Sequence, residues 1–388
     1  MLKKFNGEQL KKARLYRNVS LEELGKVIGV SKQMISKYEQ GLSEPDLENV
    51  IGMTMKLRFP KDYFYGGSKI QATRGNTYFR SLMSTTRKEK ERNILKIDYI
   101  AKIRSFMERD LEFPMLDFPD LSNFDDIEEK AAQLRIYWGL DDKPIDDAVD
   151  LLEEKGFVLT DLATTDDKID AFSQRIRYNS AHLKNIHYII VLGNNKKSFF
   201  RRQFDAIHEL AHFVLHESID EVEDLTNIEY KQMESEADRF AGCFLLPASG
   251  FKKDVCMDPL NLEYYKQLKY KWKVSIGAMI VRAKQLDLIT GEEYQKLYKS
   301  MSKRGWLKKE PIDSLMPLQK PSAFIEGMNL LFEEGIYNKE TFFLAFFDVF
   351  GETLDPSEVE SLLGLRMNFF LNYSAKQKLH IGLKSVRD

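Results

Sequence analysis

The sequence predicts a mainly α fold with one small β-sheet (α+β), and three observations carry that reading. Residues 7–65 break into short amphipathic runs with Ser caps in front and Gly behind. The stretches DIEEKAAQLRIYWGL, PIDDAVDLLEEKGF and YKQMESEADRFAGCFLLP read as longer helices, separated by only two β-rich runs, FVLTDL and HYIIVLG. Three of the six histidines, His208, His212 and His216, fall together in IHELAHFVLHE, a helix with apolar residues on several sides.

At 388 residues, with 43% hydrophobic and 30% charged residues, the chain is an ordinary globular protein of two or three domains. It has no long apolar run, so no transmembrane helix and no membrane partner are expected. MLKKFNGEQLKKARLYRN lacks an apolar core, so a secretory peptide is not expected either. Only Cys243 and Cys256 are present, which suits free thiols in a reducing cytoplasm, and both read as packing residues.

Taken in order, GEQLKKARLYRN is an amphipathic helix offering Leu10, Ala13 and Leu15 to a core. SLEELGKVIG follows with Ser20 and Glu23 as a capping box and Gly29 as its stop. VSKQMISKYEQG has Ser31 as cap, Met34 and Ile35 inward, and Gly41 at its end. DLENVIGMTMKL is the next helix. Two short helices joined by a tight Gly turn make a helix-turn-helix, here within an N-terminal five-helix domain over residues 1–66. The second helix of such a pair enters the major groove of double-stranded DNA. Gln can pair with adenine, and Lys with guanine or phosphate. Ser31, Lys32, Gln33, Ser36 and Lys37 are therefore the candidate DNA contacts. The charge balance agrees: residues 1–110 hold 23 Lys and Arg against 13 Asp and Glu, while the remainder holds 35 against 47.

These residues resemble the XRE-type (Cro/repressor-like) DNA-binding domain, whose SxxxIxxxExG signature stands here as Ser31, Ile35, Glu39 and Gly41. Leu21 departs from it, because relatives often carry there a glutamine that braces a phosphate contact. The fold and DNA binding are what the resemblance implies.

Residues 67–124 read as a basic connector, expected to be helical. Beyond it lies the HExxH pattern. Residues four apart on a helix share a face, so His208 and His212 can direct two imidazoles at one zinc ion. Glu209 leaves the helix about 100° away and can act as the base for a metal-bound water. A catalytic zinc needs a third protein ligand and one open position. Glu234 is preferred, because Asp238 follows it at i+4 and can accept a hydrogen bond from a ligand histidine. Glu236 is the rival, since it faces another side of the same helix. His216 lies too far along its helix to join His208 on one ion and reads as structural. His182, His187 and His380 stand alone. HYIIVLG reads as a buried or edge strand on which an extended substrate could add.

From PIDDAVDLLEEKGF through RRQFDAIHELAHFVLH and MESEADRFAGCFLLP to LKYKWKVSIGAMIVRAKQLDLIT and RGWLKKEP, the chain resembles the ImmA/IrrE family of metallopeptidases over roughly 125–311. The resemblance implies a thermolysin-like zincin core, zinc as cofactor, His208, His212 and Glu234 as ligands, and Glu209 as general base. It also implies a helix-turn-helix repressor as protein substrate. Ala211 stands where relatives often have glycine. EPIDSLMPLQKPSAF reads as a linker, and 322–388 as a C-terminal helical region of unassigned role. The expected protein is a cytoplasmic DNA-binding regulator with a zinc endopeptidase domain, cleaving a repressor or itself, with a homodimer as a candidate assembly. The competing expectation is a repressor or antitoxin-like regulator whose peptidase fold serves as a non-catalytic sensor or dimerisation body.

Overall fold

A computed structural model describes residues 4–70, 72–79, 86–162, 171–178, 186–193, 198–217, 219 and 222–372. His182 and His380 lie outside the described residues. Among the described residues there are seventeen α-helices and one four-stranded sheet. None of those helices is long and apolar enough to cross a membrane. The chain divides into two compact units, Met1–Lys69 with Arg109–Leu111 and Phe324–Asp388, and Ile70–Glu108 with Glu112–Ala323.

The first unit opens with α1 (Gly7–Tyr16), α2 (Leu21–Ile28), α3 (Lys32–Glu39) and α4 (Leu47–Leu57). The expected capping box begins α2: Ser20 Oγ accepts from the Glu23 amide at 3.1 Å, and Glu23 Oε2 accepts from the Ser20 amide at 2.6 Å. Gly29 ends α2 at φ 74°, a conformation that side chains resist. Ser31 and Asp46 cap α3 and α4. A 3-10 turn, Lys61–Tyr65, stands in the place of a fifth α-helix. Leu10, Ala13, Leu24, Ile35, Val50 and Met53 are fully buried, whereas Leu15 and Met34 are only half-buried. Arg14 locks α1 to α3 with a bidentate pair to Glu39, at 2.6 and 3.0 Å.

The second unit holds the sheet. Its elements are β1 (Ala72–Phe79), α5 (Arg87–Met107), α6 (Ile127–Tyr137), α7 (Ala148–Glu154), β2 (Val158–Leu162), β3 (Ala171–Tyr178), β4 (Ile186–Gly193), α8 (Phe199–His216), α9 (Asn227–Leu245), α10 (Ala248–Val255), α11 (Leu262–Trp272), α12 (Ile276–Gln285) and α13 (Gly291–Lys303). The strands lie in the order β1-β3-β4-β2; β4 pairs parallel with β2 and antiparallel with β3, and β1 pairs antiparallel with β3. β4 is therefore internal, with both edges occupied, and cannot accept an added strand as the sequence reading had entertained. Its Tyr188–Leu192 run is buried, as an internal strand covered on both faces requires. Gly156 ends α7 at φ 84°, where a side chain would also meet the Met115 backbone at 2.2 Å.

Among its described residues, the connector, expected to be helical, is α-helical over α5 and contributes strand β1 as well. Two of its basic residues are buried and internally paired: Lys102 with Asp98 at 2.8 Å and Arg104 with Glu108 at 2.7 Å. Those charges do not serve a polyanion. The stretch read as a linker is tied down too. Lys269, fully buried, binds Glu310 at 2.7 Å and Asp313 at 2.6 Å. Gln319 donates to Gln203 on α8 at 2.7 Å. Cys243 is buried, its thiol pushed up to about 12 by burial, while Cys256 is exposed and is not the packing residue expected.

The C-terminal helices α14 (Ala323–Glu333), α15 (Lys339–Phe350), α16 (Pro356–Leu362) and α17 (Phe369–Asn372) complete the first unit, apart from Ala323. Their phenylalanines, Phe324, Phe332, Phe342, Phe346 and Phe350, are buried. Lys12 of α1 reaches buried Glu352 at 3.3 Å, and Tyr16 and Arg17 both bond Glu358. The Gly67 and Lys69 amides donate to the Gly351 and Phe350 carbonyls, each at 3.0 Å. The region without an assigned role thus packs with the helices of the N-terminal domain.

Candidate metal centre and nucleic-acid interface

The metal site is built on two packed helices. On α8, Ile207, Leu210 and Ala211 are fully buried in the core. Arg202 holds the start of α8 by donating to the Gly193 carbonyl at 2.9 Å and the Gln319 carbonyl at 2.7 Å. His208, Glu209 and His212 are fully buried in turn. The α9 helix is started by a Thr226–Glu229 capping box and brings its acidic residues against α8.

Helical spacing places His208 Nε2 and His212 Nε2 3.2 Å apart. Glu234 faces both: Oε2 lies 3.4 Å from His208 Nε2, and Oε1 lies 3.6 Å from His212 Nε2. One donor atom from each of these three residues falls within 4.8 Å of the others. Asp238 sits behind, its Oδ1 2.9 Å from His208 Nδ1, where it accepts the proton of the tautomer that leaves Nε2 free. The donors suit a cation. Glu234 Oε1 is buried and accepts no hydrogen bond among the described residues. A carboxylate with one buried oxygen beside two imidazole nitrogens calls for positive charge.

Glu236 turns elsewhere. Its Oε2 lies 3.2 Å from His216 Nε2, and its Oε1 accepts from Gln232 at 2.9 Å. His216 Nδ1 is 3.1 Å from His212 Nδ1. When His212 offers its Nε2 lone pair to a metal, its proton sits on Nδ1 and donates to His216, whose own proton then faces Glu236. Burial pushes the His216 pKa down, so the ring stays neutral, as this relay needs. The sequence reading treated His216 as structural and Glu236 as a rival ligand. The i, i+4 step from His212 to His216 was the signal available for the contact.

Tyr78 was missed altogether. Its ring stacks on His212, with centroids 4.8 Å apart and planes within 7°, and its hydroxyl donates to the His216 carbonyl at 2.6 Å. Burial raises its pKa to about 12. It belongs to β1, in a polar stretch with no motif. His187 is a buried histidine 2.8 Å from Ser105 Oγ, with its pKa lowered to about 4 by burial.

On the first unit, Ser31, Lys32, Gln33 and Lys37 are exposed along the start and outer face of α3, and Ser36 is half-buried. Ser31 Oγ caps the helix through the Met34 amide at 3.2 Å, and Ser36 Oγ accepts from Gln40 at 3.3 Å. The arrangement leaves two lysines and a glutamine as the reaching side chains of a solvent-facing helix.

Comparison with known proteins finds matches for two stretches of the chain. Residues 10–64 match the helix-turn-helix family model, and residues 153–284 match that of the IrrE N-terminal-like domain, Peptidase M78. A prophage-derived, uncharacterized HTH-type transcriptional regulator of Bacillus subtilis, YonR, is 32% identical over 65 residues, 17% of this chain and 60% of the relative. The chain thus spans about three fifths of that relative's length. The crystal structure of Bacillus thuringiensis PlcR with the peptide PapR7 and DNA is 13% identical, covering 88% of this chain and 94% of that one, with a TM-score of 0.16, too low to relate the folds. Residues 10–64 therefore carry a helix-turn-helix domain of the XRE type, and residues 153–284 carry an IrrE N-terminal-like domain.

Proposed function

We propose that the chain is a cytoplasmic DNA-binding transcriptional regulator whose zinc-dependent endopeptidase domain cleaves a specific protein, a helix-turn-helix repressor or the chain itself, in a stress or mobile-element response. The convergence of His208, His212 and Glu234, with Asp238 behind His208, is the observation that supports it most. These three would hold zinc, which when bound supplies Lewis-acid polarisation of a carbonyl and a water of pKa near 7. Glu209, next to His208 and fully buried, takes the proton of the attacking water and delivers it to the leaving amine. Asp238 keeps His208 in the ligating tautomer.

The helix-turn-helix reads double-stranded DNA through Ser31, Lys32, Gln33, Ser36 and Lys37. Leu47, Ile51 and Met55 form an exposed apolar stripe along α4, which supports a homodimer reading two half-sites. The deciding experiment measures zinc content and cleavage of a candidate repressor. Wild type should hold one zinc per chain, and His208→Ala and His212→Ala should each lose it. Glu209→Gln should keep zinc and lose cleavage. A wild type that takes up no zinc at any concentration would end this reading.

One observation favours a second reading, a regulator whose peptidase fold only senses: the Tyr78 ring lies over His212. A Glu209→Gln strain with unchanged fragments and normal regulation would select it.

A further inference from the structure

Strand β1 lies outside both family matches, between residues 10–64 and residues 153–284. It adds to the sheet at its edge, antiparallel to β3, from Ala72 opposite Tyr178 to Phe79 opposite Phe172, with an irregularity between Arg74 and Thr77. The other side of β3 is taken by β4. Without β1, β3 would present a free row of amides and carbonyls, the kind of edge on which extended peptides dock.

The composition of β1 is not that of a core strand. A strand with one face in a core buries alternate apolar side chains. From Ala72 to Tyr78, only Tyr78 is buried, at 3% exposure; Thr73 and Arg74 are exposed and the others are half-buried. The strand is held by contacts that a bound peptide would also make. Gln174 of β3 donates to the Gly75 carbonyl at 3.1 Å and to Thr77 Oγ1 at 2.6 Å. The Asn76 side chain donates through Nδ2 to the Ile219 carbonyl beyond α8. Arg74 pairs with Asp98 at 3.0 Å. Tyr78, the buried aromatic among residues 72–78, lies with its ring flat on His212, one of the converging donors.

We propose that the edge of β3 is the docking edge for extended peptide substrates of the metal site, and that β1 is an internal occupant of that edge. Substrates reach the site when β1 leaves. The class of substrate that replaces it is an extended, largely polar segment carrying one aromatic residue to cover His212. The inference rests on the peptidase reading of the metal site and adds its substrate class and its restraint.

The test uses the full-length, zinc-loaded protein in the Glu209→Gln background, where nothing is cleaved. A fluorescein-labelled peptide with the sequence of residues 72–79 is titrated against this parent, and against the same chain carrying Tyr78→Ala or Arg74→Glu. Apparent affinity scales with the fraction of molecules whose edge is free. Both variants should bind the peptide about tenfold or more tightly than the parent, and amides of 72–79 should exchange faster in both. Arg74 is 42% exposed, so its variant decides the matter should Tyr78→Ala fail to fold. Folded variants with unchanged peptide affinity and unchanged exchange would overturn the proposal. Separately, restoring Glu209 in the variants should raise cleavage of labelled casein above wild type. Peptide binding that rises as expected while neither wild type nor any variant cleaves would reject the peptidase reading and keep β1 as the edge's occupant.

Discussion

Glu234 and Glu236 stand two residues apart on α9, and removing each should have a different effect on metal binding. Glu234 is 18% exposed and points a carboxylate at both imidazole nitrogens, 3.4 and 3.6 Å away. Glu236 is 36% exposed and reaches His212 only through His216. Loss of an outer hydrogen-bond partner of a ligand typically costs 10- to 100-fold in metal affinity, and solvent beside Glu236 puts it near the low end. Glu236→Ala should therefore weaken zinc binding by about tenfold, some 1.4 kcal/mol. Glu234→Ala removes a direct donor and should exceed the outer range, more than about 100-fold or roughly 2.7 kcal/mol. Zinc dissociation constants measured by competition with a chromophoric chelator at pH 7.5 separate the two. The reverse order would move the third donor to Glu236 and refute the geometry. Equal losses would mean that the two helices rotate on metal binding.

Three further outcomes are expected. Lys269→Met should cost about 3–5 kcal/mol in urea unfolding, because it leaves Glu310 and Asp313 buried without their cation; a loss under 1 kcal/mol would show that water reaches them. His187, with a folded pKa of about 4 against 6.5 ordinarily, binds protons more readily when unfolded, so stability present above pH 6.5 is lost as pH falls toward 4. Between pH 7 and 5 this amounts to about 2 kcal/mol, and a His187→Gln chain compared over the same range should lack that component. In DNA binding, Gln33→Ala should relax sequence discrimination, whereas Lys37→Ala should weaken all sequences and lower the salt slope by about one; a Lys37→Ala chain with an unchanged slope would remove that residue from the phosphate contacts.

Much of the helical layout was legible because its signals are local. Ser20 with Glu23, Ser31, Gly29 and Gly156 act within one or two turns of the chain, and the structure uses them where the spacing places them. β3 was hard to read: Gln174 interrupts the alternation of Phe172, Ile176 and Tyr178 with Ser173, Arg175 and Arg177, and pairing with β4 and β1 makes the segment a strand. The segment 311–321 reads as a linker because its prolines are visible and its partners, Lys269 and Gln203, are distant in sequence.

By itself, the sequence determined that His208 and His212 rise from one helical face with Glu209 between them, since a pitch of 3.6 residues leaves no other arrangement. It determined as well that α3 shows lysine and glutamine outward, since Ile35 must face in. Only the tertiary structure decided which carboxylate meets the histidines, because that depends on how α9 is rotated against α8. Only packing, again, set Tyr78 on His212, brought Glu236 to His216, and placed the C-terminal phenylalanines with the N-terminal helices. Each of these contacts joins segments remote in the chain or depends on a rotation between helices, and no local spacing encodes either.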